Sequence, residues 1–132
     1  MSLRTLYMSL RGLFVVMLIL GVLLWTGAVP DGVKYVHMIL GIVFVALLWT
    51  IGIIGALRTG KIGLQVGTFV LGLLLAIVGM TQEGILKNSS AHWIIQVIHL
   101  LLALLAIGIA ESVVAQVRRA RPAVAPAIEK PA

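Results

Sequence analysis

The chain has no cysteine. That excludes disulfides, thiolate-held iron–sulfur clusters, thiol nucleophiles and covalent haem attachment through C-x-x-C-H, and it leaves the redox compartment open. Charge is nearly as scarce: 11% of the 132 residues are charged, against about 25% in a typical soluble domain. Only four residues are acidic. With 61% hydrophobic residues there is too little polar surface to cover a water-facing globule, so composition predicts a single membrane-embedded domain whose first partner is the lipid bilayer.

What charge there is divides the chain. Uncharged runs of 19, 23, 21 and 23 residues separate Arg11 from Asp31, Lys34 from Arg58, Lys61 from Glu83, and Lys87 from Glu111. Each meets the roughly 20 residues that a spanning helix needs. The expected fold is all-α: an integral-membrane, up-down four-helix bundle over residues 1–119, with helices near 8–29, 32–57, 62–82 and 90–118. Residues 120–132, rich in alanine and proline, read as a disordered cytoplasmic tail. The first run is too long for a signal-peptide core, and "TGAVPDG" is a poor cleavage site.

Orientation follows from the basic residues. Arg4, Arg11, Arg58, Lys61, Arg118, Arg119 and Arg121 fall on one side of the bundle, and only Lys34 and Lys87 on the other. The positive-inside rule places both termini in the cytoplasm, in a multi-pass protein of the cell membrane, a bacterial inner membrane. The net charge of +6 is then a topology signal rather than a nucleic-acid footprint.

The polar residues inside the runs carry the functional reading. Asp31, in the turn at Pro30 to Gly32, is placed to cap the second helix, and Ser89 or Ser90 the fourth. In an up-down bundle these two helices run parallel and stand diagonally across the core. Counting from the caps at 1.5 Å per residue, His37 and His99 differ in depth by only about 4 to 5 Å. On helix four His92, Gln96, His99, Ala103, Ala106 and Ala110 share one stripe at spacings of three and four. Helix two offers His37, Gly41, Phe44, Leu48 and Gly55, and helix three Gln65, Thr68, Gly72, Ala76 and Gly79. Lipid offers an imidazole no hydrogen bond, so these stripes are expected to face inward.

Small side chains on the stripes admit three readings: close helix packing, room for a haem plane, or a structural metal site. Zinc wants three or four protein ligands and the interior has no acid or cysteine to complete the set. A haem needs only two, one imidazole from each side of the iron. His37 and His99 are the candidate axial ligands, with Gly41, Gly72 and Ala103 as candidate room for the porphyrin. His92 lies shallower, where water or a haem propionate would meet it. Lys34 and Lys87 flank the same end, as propionate partners or as snorkelling residues. Tyr35, Trp25, Trp49 and Trp93 read as interfacial aromatics. Glu83 and Glu111 read as isolated carboxylates, Glu111 within reach of Arg118.

"YVHMILGIVFVALLW" and "IIQVIHLLLALLAIGIAE" resemble the haem-ligand helices of membrane b-type cytochromes. The chain from about residue 10 to 118 is similar to one four-helix half of the haem A synthase family, whose halves each place a histidine on the second and fourth helices. The resemblance implies that His37 and His99 are an axial pair for one non-covalent haem b. It departs from the family in informative places. An acidic residue one turn before the first histidine is replaced here by the neighbourhood of Lys34, and an arginine after it by Met38. The cysteine-bearing outer loop is missing. Those departures argue against haem A synthesis and leave haem binding standing.

The expected function is therefore a small bis-histidine cytochrome in electron transfer, exchanging electrons with a quinone or a redox partner protein. It would be an electron carrier more than a catalyst, with homo-oligomerisation left open. The alternative is a haem-free accessory subunit, whose small-residue faces pack into a larger membrane complex.

Overall fold

The computed structural model describes residues 2–85 and 89–120. Within them the chain forms four helices: α1 Leu3–Trp25, α2 Val33–Thr59, α3 Gly63–Thr81 and α4 His92–Arg119. All four are long and apolar enough to cross a membrane. Even α3, with 19 residues, reaches about 29 Å at 1.5 Å per residue, close to the hydrocarbon thickness of a bilayer. Lys87, Arg121 and the tail from 121 onward lie outside the described residues.

The ends of the helices follow local chemistry. The α1 helix starts at Leu3 rather than near residue 8, because the Ser2 hydroxyl caps it by accepting from the Thr5 N–H at 3.1 Å. It stops at Trp25, ahead of Gly27 at φ 68°. Asp31 does not cap α2 with its side chain. The N-cap is Gly32, and the Asp31 backbone carbonyl accepts from the Lys34 N–H at 3.1 Å. Gly60, left-handed at φ 65°, ends α2 and donates its N–H to Ala56. Ser89 acts one step earlier than expected. Its hydroxyl accepts from the Ala91 N–H at 3.1 Å and shapes the turn into α4, whose N-cap is Ala91.

Sequential helices pack side by side, and α4 closes the ring against α1. The cross-section is a rhombus rather than a square. Among the described residues α2 touches α4 across the centre, whereas α1 and α3 do not meet. One end of the bundle carries both termini; the other carries the α1–α2 and α3–α4 connections. The stripes read from the sequence do face inward: Phe44, Leu48, Gly55, Gln65, Thr68, Gly72, Ala106 and Ala110 are buried. Ile39, Ile42, Leu57 and Met80 point outward, as lipid-facing residues do.

Packing is uneven along the axis. Every buried residue among those described lies in the stretches 3–10, 44–55, 65–75 or 106–117, mostly in the half nearer the helix ends at Leu3 and Arg119, with Phe44, Val45 and Leu75 just past the middle. Trp49 belongs to this interior and not to an interfacial belt. Its ring stacks on Phe69 at 5.6 Å between centroids, and its indole N–H edge occupies the space left by Gly72. The segments 11–25, 33–43, 76–85 and 89–105, which make up the loop end and hold the histidines, contain no buried residue.

Candidate functional site: a histidine pair between α2 and α4

The short diagonal of the rhombus brings His37 and His99 together. Their ring centroids are 6.4 Å apart and the planes are tilted by 51°. Both rings are half-buried, and Nδ1 of each is buried with no hydrogen-bond partner. An unsatisfied polar group at membrane depth costs several kcal/mol, so a site that leaves two of them side by side is unusual.

The separation narrows what can satisfy them. A ring nitrogen stands about 1.1 Å from its centroid, so nitrogens aimed straight at each other would remain about 4.2 Å apart, beyond the ~3.2 Å reach of a direct hydrogen bond. No hydrogen bond joins the two rings, and neither Nδ1 finds another partner.

Two glycines make room for the imidazoles. A Cβ on Gly21 of α1 would lie 3.5 Å from Cε1 of His37, and one on Gly79 of α3 would lie 3.0 Å from Cε1 of His99. One layer of the bundle therefore reads Gly21, His37, Gly79, His99 around the ring of helices. Gly79 belonged to a stripe visible in the sequence. Gly21 did not, because a single glycine in "LILGVLLW" shows no pattern until α1 is docked.

The remaining candidates are placed as follows. Gly41 faces the tip of Met17, whose Cε is 3.4 Å from the position a Cβ would take, and Gly72 receives Trp49. Ala103 is partly buried against the core. His92 is held apart from the pair, its Nδ1 at 3.0 Å from the Ile85 carbonyl oxygen. Lys34 is not free: its ammonium sits 3.3 Å from a carboxylate oxygen of Glu83, which is thus a paired group rather than an isolated one. That is the one ion pair among the described residues, and Glu111 and Arg118 line a common cavity without forming another.

Among the described residues no group of three or more His, Asp or Glu side chains converges on a point that could hold a metal ion. A site built only from protein ligands, as zinc requires, is therefore not assembled here.

The described chain is all-helical, with four helices long and apolar enough to cross a membrane and a histidine pair where two parallel helices meet. No family model, no curated protein and no solved structure matches the chain.

Proposed function

We propose that the protein is a small integral-membrane cytochrome of the b type, holding one non-covalent haem between His37 and His99. The observation that carries this is the 6.4 Å pairing of two half-buried imidazoles, each with an unpartnered nitrogen, on helices that face each other. Two further features support it. The layer carries no side chain at Gly21 and Gly79, and no residue in the surrounding loop-end segments 11–25, 33–43, 76–85 and 89–105 is buried. A porphyrin is a wide, flat, apolar group, and such a group needs both.

In this reading His37 and His99 would hold the haem, which would supply one-electron oxidation and reduction when bound. Their helices touch, so the distance between the ligands is set by backbone packing rather than by flexible loops. The Lys34–Glu83 pair ties the start of α2 to the end of α3 beside the layer. The distribution of basic residues supports a loop end that faces away from the cytoplasm. The natural redox partners at that depth are a membrane quinone or an extracytoplasmic protein.

A reduced-minus-oxidised visible spectrum of the purified protein tests the proposal. The expected result is a sharp reduced α-band that is lost in His37→Ala and in His99→Ala. Colourless protein from haem-replete cells overturns it. If that colourless protein co-purified with a larger membrane complex, the accessory-subunit reading would take its place.

A further inference from the structure

The opposite end of the bundle holds a second feature that the histidine pair does not use. Two cavities open side by side where α1 meets α4, near the termini. One, of about 230 Å³, is lined by Tyr7, Glu111, Val114, Ala115, Arg118 and Arg119. The other, of about 140 Å³, is lined by Leu3, Arg4, Val114, Val117 and Arg118. Val114 and Arg118 belong to both, so they form one groove with a shared wall.

The chemistry of the groove is mixed in a particular way. Its floor is rigid and apolar, because Leu3, Val114 and Val117 are buried in the core. Its polar lining is the three arginines Arg4, Arg118 and Arg119 against one carboxylate, Glu111, and the phenol of Tyr7. Two bland explanations cover part of this. Arg118 and Arg119 lie in the last turn of α4, where cations offset the helix dipole, and arginines gather on the cytoplasmic side of membrane proteins generally. Neither explains why Arg4, from the first turn of a different helix, lines the same groove as Arg118. Each cavity is smaller than the roughly 300 Å³ at which small-molecule pockets begin. They suit a head-group fragment whose remainder lies outside, along the apolar flank.

We propose that this groove binds the phosphate of an anionic phospholipid, held by Arg4 and Arg118, with the acyl chains running along the exposed lipid-facing sides of α1 and α4. A basic pocket between transmembrane helices, open to the leaflet, is the form that such sites take. Guanidinium groups match phosphate oxygens in pairs, which favours arginine over lysine at these positions. The inference stands independently of the histidine pair.

The test uses the full chain, purified in mild detergent and offered phosphatidylglycerol and phosphatidylcholine in equal amounts. Retained lipid is read by native mass spectrometry. Selective retention of phosphatidylglycerol is expected, weakened about five-fold for each arginine removed in Arg4→Gln and Arg118→Gln. Arg58→Gln, at the same end but on α2 and outside the groove, should leave retention unchanged. Equal retention of the two lipids by the unaltered chain overturns the proposal, and that arm does not depend on any variant folding. So does an Arg58→Gln effect as large as that of Arg118→Gln, which would mean diffuse charge rather than a site. Displacement of the bound lipid by millimolar inorganic phosphate would overturn the lipid assignment in favour of a free anion.

Discussion

Gly79 of α3 lies against the ring of His99: a Cβ on the glycine would stand 3.0 Å from Cε1 of the imidazole. The equivalent approach of Gly21 to His37 is looser, at 3.5 Å, an ordinary van der Waals distance. The two glycines therefore make a graded pair of tests. Alanine is favoured over glycine in a helix by about 1 kcal/mol, so neither substitution should harm the fold. Gly79→Ala should lower haem content per protein, whereas Gly21→Ala should leave most of it. Haem-to-protein absorbance ratios, read beside thermal unfolding of the same samples, check this. Equal haem content in both variants would count against the layer as described.

His92 and His99 share a helix stripe but not a role. His92 faces the Ile85 carbonyl and is set apart from the pair. His92→Ala should keep the α-band and its position, while His99→Ala abolishes it. Reduced-minus-oxidised spectra of the two variants, normalised to protein, decide the matter.

Trp49 fills the space at Gly72, so a methyl group at that position meets the indole edge. Gly72→Ala should cost roughly 1–3 kcal/mol through overpacking. The indole N–H there is buried without an acceptor, so Trp49→Phe should be tolerated far better than its change in size suggests. Denaturant or thermal unfolding in detergent gives both values. A Gly72→Ala variant as stable as the parent would mean that Trp49 is free to leave.

The terminal half is held by a polar contact as well. Gln65 of α3 donates its amide to the Gln116 side-chain oxygen of α4 at 2.7 Å. Hydrogen bonds between membrane helices average about 0.6 kcal/mol and reach about 1.7 kcal/mol. A double-mutant cycle with Gln65→Ala and Gln116→Ala should return a coupling in that range. Additive single effects would show that the two side chains do not act on each other.

Much of this arrangement is legible in the residues. Charge spacing marks four spans, since every interruption of the apolar pattern is paid for at membrane depth. The 3.6-residue period turns Ala106 and Ala110, or Gln65 and Thr68, toward the interior, and counting rise along parallel helices brings His37 level with His99. Other features depend on what a neighbouring helix supplies. Gly72 advertises a vacancy, but only docking shows that Trp49 takes it; from sequence alone a tryptophan near a span's end reads as interfacial. Gly41, beside a histidine in its own helix, reads as room for a porphyrin, whereas the glycines that lie against the imidazole rings come from α1 and α3 and are seen only once the helices are docked. The start of α1 is hidden for a different reason. The charge-free run marks where lipid begins, whereas the helix continues past it to the Ser2 cap.

The lengthwise difference in packing has a mechanical consequence. With its buried side chains concentrated away from the looped ends, the bundle resembles a pair of tongs: the closed grip of Leu10, Leu48, Ile51 and Val113 acts as the pivot, and the looped ends are the jaws. Spreading the jaws separates few side chains and leaves the pivot intact, so such an opening draws on the low-stability end of the molecule's range of motions. Under the proposed cytochrome reading, a broad flat guest would enter or leave at this end while the grip at the other end holds the four helices together.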